Sequence, residues 1–372
     1  MIVISSCSSL DNLRFWKSDD VDIDEPKKLM SFSDEKALSI KWKNAYKGEN
    51  NMGSFIPDFS SQNLFFSDAS GKVLSLNANT GNENWSAELS FLASGTAAGF
   101  GIVAVSDIEG NVIALDQKDG SKLWSSNVKG EVLSKVAIDA QIVVVKTGSG
   151  ELLGLNKENG DIEWSYRSTL PLLTVRGSSS PVIVDDKVYV SFDNGRLGVF
   201  QINSGFPIWD GAISYVRGVS ELENLIDSDS DPVVDGGLIY TTNYQGNLNI
   251  FDTTQKRSVW SYETSSFYSP VITRGMLMVV EADSGIRSFS LKTLQESWVN
   301  DDYKNRDLSN AVNFKGNMII GDFEGYLHVI DTLNGRTIGR KKISRKPIKT
   351  VFSRSDSLYV IDEAFNLFSI NI

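Results

Sequence analysis

Apolar and polar positions alternate along this chain in short bursts. Val103-Ala104-Val105 and Val112-Ile113-Ala114-Leu115 are β-rich apolar runs, parted by Asp107-Ile108-Glu109-Gly110. A gap of that length and composition predicts a hairpin, with glycine supplying positive φ. Asp116 to Gly120 predicts the next reversal, and Trp124 then falls on an outgoing strand. A large ring there can fill the wedge between neighbouring sheets. Residues 130–139 leave room for one more strand, giving four antiparallel strands in about 40 residues.

The unit recurs. Leu64–Trp85, Val103–Trp124, Val143–Trp164, Val188–Trp209 and Ile239–Trp260 align without gaps, and Gly71, Gly110, Gly150, Gly195 and Gly246 each lie 14 residues before the tryptophan. Two degenerate copies follow. Leu277–Trp298 has Ser284 in the glycine slot, and Met318–Gly339 has Gly339 in the tryptophan slot. An eighth begins at Leu358 and stops at the C-terminus, before its tryptophan strand. The segment 38–46 carries Trp42 and has no preceding half-repeat. Self-similarity at this period predicts an all-β, eight-bladed β-propeller over residues 38–372, closed when the N-terminal strand completes the last blade. Closure would hide the edges an open array exposes. The tryptophans are packing residues, and the turn Asp and Asn residues are turn residues rather than acid/base pairs.

Composition narrows the chemistry. The 372 residues carry a formal net charge of −11, which excludes a general nucleic-acid binder. No window of about 20 apolar residues is present to span a membrane as a helix. With one histidine, His328, and one cysteine, Cys7, a serine-type triad would have to use His328, and a His/Cys zinc site lacks ligands. No catalytic, cofactor or metal residue is assigned.

The repeat breaks in two places. From one tryptophan to the next turn glycine most copies use 24–29 residues, but Trp164 to Gly195 uses 31 and Trp209 to Gly246 uses 37. The additions fall early, in the connections between blades, which in a four-stranded meander share one face. They are therefore expected side by side, bracketing one blade. The first, 169–177, is apolar for a loop and carries Leu173, Val175 and Arg176. The second, 219–231, holds a plausible helical turn at 221–226 and then Asp227, Asp229 and Asp231. An apolar, arginine-bearing loop beside an acidic one has the makeup of a protein interface. The bland alternative is that the loops pack on each other, with Arg176 neutralising the aspartates. A calcium loop of the EF-hand type would need glycine and glutamate where Pro232 and Leu238 stand. The basic run Arg340–Lys346 sits where the outer strand of blade seven is expected; the ordinary reading is a solvated edge, and the alternative is a role toward a membrane surface or an anionic partner.

The opening Ile4-Ser5-Ser6-Cys7 resembles a lipobox, in which the cysteine becomes the lipidated first residue. Only six residues precede Cys7, against about 15–30 in a secretory signal. Residues 1–7 are read as a signal remnant ending in a lipidated Cys7, and 8–37, rich in Ser, Asp and Lys, as a flexible tether with an r.m.s. span of about 30 Å.

The Asp-x-x-Gly…Gly-x-x-x-Trp unit resembles the repeat of quinoprotein (PQQ) dehydrogenase propellers and that of the BamB family, lipoprotein subunits of the outer-membrane β-barrel assembly (BAM) complex. The chain length, the lipobox-like start, Leu173-Thr174-Val175-Arg176-Gly177 after Trp164 and Leu225-Ile226-Asp227-Ser228-Asp229 after Trp209 favour the BamB family. That resemblance implies a non-enzymatic scaffold at the periplasmic face of the outer membrane, lipid-anchored through Cys7 and binding the periplasmic POTRA domains of BamA. Carried over, the partner-binding residues are Leu173, Val175, Arg176, Asp227 and Asp229. The alternatives are a PQQ-dependent dehydrogenase-like quinoprotein and a generic periplasmic propeller adaptor.

Overall fold

The computed structural model describes residues 25–46, 48–50, 53–168, 179–213 and 230–372. These form eight four-stranded antiparallel sheets and contain no helix. Blades one to seven are meanders running from the central axis outward, covering residues 58–88, 97–127, 137–167, 182–212, 233–264, 271–300 and 312–342. Blade eight joins the two ends of the chain. Ser39–Ala45 pairs antiparallel with the C-terminal strand Asn366–Asn371, and Ile348–Arg354 is innermost. The expected propeller and its closure are both present.

The repeat's constant residues explain how neighbouring blades lock. Each outer strand has a bulge beside the tryptophan slot, for example at Asn84, opposite Ser75 and Leu76, and at Leu123, opposite Ala114 and Leu115. The bulge re-aims the side chain that follows it. The Trp85, Trp124, Trp164 and Trp298 indole N–H groups donate to Gln117, Lys157, Ile202 and Thr332 carbonyls of the following blade, at 2.7–3.0 Å. The same rings lie under the next blade's last reversal. A Cβ on Gly120 or Gly160 would come within 2.6 Å of the Trp85 or Trp124 ring, and both glycines have positive φ. Glycine is required there on two counts, space and backbone conformation. In blades five and six the slot holds Lys256 and Leu294, still at positive φ, and the facing Trp209 and Trp260 are less buried.

The turn aspartates are caps. The Asp107, Asp322 and Asp362 carboxylates each accept two backbone N–H groups of their own hairpin at 2.9–3.0 Å. Blade four breaks the rule, with Phe192 in that slot. Its aspartate, Asp193, instead takes the Lys146 ammonium of blade three at 3.4 Å, and both side chains are 3% exposed. Lys146 also donates to the Ser191 carbonyl at 3.2 Å.

Gly339, which reads as decay of the seventh repeat, has a partner. A Cβ there would meet the Lys36 carbonyl oxygen at 2.5 Å. The chain before Ser39 lies along blade seven where a tryptophan would otherwise sit. The amides of Glu35 and Lys36 both donate to the Ile338 carbonyl, at 2.8 and 2.9 Å. Arg340 donates to the Met30 carbonyl at 2.9 Å and stacks on Phe32. Lys27 donates to the Lys304 carbonyl and accepts from Arg306. Residues 27–36, read from the sequence as part of a flexible tether, thus form a strap across the outer edge of blade seven.

Candidate partner-binding face

The position of the two insertions follows from the meander. The first amide beyond each of several outer strands bonds back to the turn glycine of its own blade: Leu89 to Gly71, Val128 to Gly110, Ser168 to Gly150, Ile213 to Gly195 and Ile343 to Gly325, at 2.8–2.9 Å. The glycine turns and the interblade connections therefore occupy one face of the ring.

Both insertions begin and end on that face. The first leaves blade three at Ser168, whose hydroxyl accepts from Asn194 at 2.9 Å, and enters blade four at Ser179-Ser180-Pro181. The second leaves blade four at Ile213, whose carbonyl accepts from Asn249 at 2.6 Å, and enters blade five at Ser230-Asp231-Pro232. Their far ends meet. The Ser180 amide donates to the Asp231 carboxylate at 2.5 Å. The Asp231 carbonyl accepts from the Ser269 hydroxyl at 2.8 Å, and the Ser230 hydroxyl bonds the Thr242 carbonyl at 2.5 Å. The neighbouring placement expected from sequence is seen at these roots.

Asp231 is half-buried. Burial pushes its carboxyl above the usual range, opposed by the Ser180 amide and by the charges of Lys135 and Lys146. It is a strut between loop roots, not a ligand offered to a cation. Among the described residues no group of three or more His, Cys, Asp or Glu side chains is arranged to hold a metal. Leu173, Val175, Arg176, Asp227, Asp229 and the helical turn at 221–226 lie outside the described residues, as does Cys7.

Beside these roots the axial channel opens on the same face as a cavity of about 370 Å³, walled in part by Phe55, Ile56, Phe267 and Tyr268. Burial raises the Tyr268 hydroxyl to about 12 and lowers the Lys349 ammonium to about 8. Phe267 is 40% exposed and stacks on Tyr244, with ring centroids 4.6 Å apart. This aromatic pair, adjacent to the second insertion, escapes sequence reading because its members come from a turn and a connection 23 residues apart. Their only signal is Tyr244, an aromatic ring at a turn position where, among the other copies, only the seventh, with Phe323, also carries one.

His328 is buried in blade seven, far along the ring from the insertions. The Arg340 Nε–H donates to its Nδ1 at 3.0 Å, so Nε2 carries the proton and donates to Asp322 at 3.1 Å. Both ring nitrogens are committed to packing groups, and burial lowers the imidazole pKa. The Asp322 carboxyl is held below its ordinary value. Burial pulls it upward, but the hydrogen bond and charge of His328 and the hydrogen bond from Arg306 outweigh that.

Comparison with known proteins agrees with this architecture. The family model described as "Outer membrane protein assembly factor BamB" matches residues 69–300 and 257–368. The outer membrane protein assembly factor BamB of Yersinia pestis is 30% identical over 299 residues, 77% of this chain and 76% of that protein. The crystal structure of BamB from Moraxella catarrhalis superposes with a TM-score of 0.83 at 22% identity, covering 90% of this chain and all of that one. The quinohemoprotein alcohol dehydrogenase of Comamonas testosteroni shares the fold at a TM-score of 0.69 but is only 10% identical. On the family match and the length of the aligned relatives, this chain belongs to the BamB family of outer membrane protein assembly factors.

Proposed function

We propose that the protein is a non-enzymatic scaffold lipoprotein of the outer-membrane protein assembly complex. It is anchored through a lipid on Cys7 at the periplasmic face of the outer membrane. It binds the periplasmic POTRA domains of BamA and assists the folding and insertion of β-barrels. The reading rests above all on the Ser180–Asp231 hydrogen bond, which ties the roots of the two insertions into one patch. Leu173 and Val175 supply the apolar anchor of that patch and Arg176 its cation, with Asp227 and Asp229 on the acidic side. The exposed Phe267–Tyr244 stack extends it. Arginine and aromatic anchors ringed by polar groups are the residues on which protein interfaces concentrate their energy.

The test is a titration of the protein with the isolated POTRA domains. Arg176→Ala and Asp229→Ala should each weaken binding by about 2 kcal/mol, roughly 30-fold in Kd, with an unchanged melting temperature. Unaltered affinity in both variants removes these residues from the interface. Loss of affinity accompanied by loss of the fold would assign them to internal packing instead.

A further inference from the structure

The chain as a whole is acidic, with a net charge of −11, yet one edge of the connection face is cationic. Lys341 and Lys342 end the outer strand of blade seven on that face, and Arg345 and Lys346 begin the connection to blade eight. All four are exposed, and none forms an ion pair with any described residue. Three nearby acids are already engaged, and exposed Glu363 forms no ion pair with any described residue. Glu324 takes Arg306, Asp322 takes Arg306 and His328, and Asp362 takes Ser344 and Asn366.

The strap brings two more charges to this edge. Arg306 bonds both the Lys27 carbonyl and the blade-seven turn, which places exposed Lys27 and Lys28 beside the same turn. Met30, 61% exposed, sits among these cations with its carbonyl held by Arg340. From Glu25 the chain is about 18 residues from Cys7, within about 60 Å at full extension.

Together these features point to one occupant. We propose that the blade-seven edge of the connection face docks on a bilayer surface, its cations against phosphate-bearing anionic lipid headgroups and Met30 at the headgroup level. Cations near an anionic membrane surface each contribute about fivefold to partitioning at low salt, and the effect is lost within a Debye length. An exposed thioether flanked by lysines suits the interface, where the lysine stems can lie along the lipid and keep their charges in water. The docking deepens the lipoprotein reading by fixing which side of the ring meets the membrane, but it does not need the anchor to be present.

The experiment uses the full chain with Cys7→Ala, so that no acyl chain contributes. Sedimentation is measured with phosphatidylcholine vesicles carrying phosphatidylglycerol, and with pure phosphatidylcholine. The protein should bind the anionic vesicles alone, and salt should release it. The combined Lys341→Ser, Lys342→Ser, Arg345→Ser and Lys346→Ser variant should lose binding by a hundredfold or more, on the order expected for four charges. Its melting temperature and its affinity for POTRA domains in solution should be unchanged. Lys118→Ser with Lys122→Ser, on the opposite face, serves as the control and should bind as the parent does. If the quadruple variant fails to fold, Lys27→Ser with Lys28→Ser carries the test, with an expected loss of about 20-fold or more. Equal binding to neutral vesicles, salt-insensitive binding, unchanged binding of the substituted protein, or displacement from vesicles by inorganic phosphate at constant ionic strength overturns the proposal.

Discussion

The Lys146–Asp193 pair offers the sharpest check on how the insertions are held. It bridges blades three and four directly beneath the roots of the first insertion, and both side chains are 3% exposed. Lys146→Met keeps most of the volume and removes the charge. Asp193 is then a carboxylate without its partner in a site that water barely reaches, which costs about 3–5 kcal/mol. The Ser191 carbonyl also loses a donor, at about 1 kcal/mol. Lys146→Met combined with Asp193→Asn removes both charges and leaves only that second loss, about 1 kcal/mol. A propeller of about 330 residues unfolds with an entropy of about 0.7 kcal/mol/K. The single variant should therefore melt about 6–9 °C below the parent and the double variant about 1–2 °C below, by scanning calorimetry at neutral pH. The order matters more than the size. If the double variant melts no higher than the single one, the pair acts through packing and the argument from an uncompensated buried charge is wrong.

Two further outcomes follow from the structure. Gly339→Trp restores the repeat's consensus but drives a ring into the Lys36 carbonyl. The strap should leave blade seven, and trypsin should then cut at Lys36, Lys28 or Lys27 well before the propeller is attacked; cleavage at the parent rate would refute the contact. The single histidine gives a clean pH signal. Burial lowers the native pKa of His328, so above about pH 6.5 native and unfolded imidazoles are both neutral and the stability is fully present. As pH falls below that value the unfolded chain takes a proton that the native state refuses, and stability drops by up to about 1.4 kcal/mol per pH unit. His328→Gln can still donate to Asp322 and accept from Arg340. Its urea midpoint should lack the decline between about pH 6.5 and 5, and an identical slope in both proteins would show that His328 is not the group responsible.

Much of the fold was legible because one local rule repeats. The 14-residue spacing from glycine to tryptophan encodes a hairpin, a bulge and an interblade wedge. Counting copies then yields both the number of blades and the strand that closes the ring. The neighbouring roots of the insertions were legible for the same reason, since meander geometry forces all connections onto one face. What sequence reading missed involves contacts far apart in the chain. Gly339 looks like a lost tryptophan until Lys36 is seen beside it, some 300 residues away in sequence. Residues 27–36 read as a linker because they are polar and aperiodic. Their order comes from arginines of blade seven and the six-to-seven connection, not from any periodicity of their own. Asp193 and Lys146 sit one place apart from ordinary repeat positions, and only the blade seam reveals the pair.

The strap also decides how the molecule bears a load. A pull on the N-terminal end first meets the hydrogen bonds at Lys27, Met30 and Ile338, and only afterwards the strand Ser39–Ala45 on which the circle depends. The seam between the chain's two ends lies behind a sacrificial clamp, so traction that frees residues 27–36 from the rim leaves the circle itself unbroken.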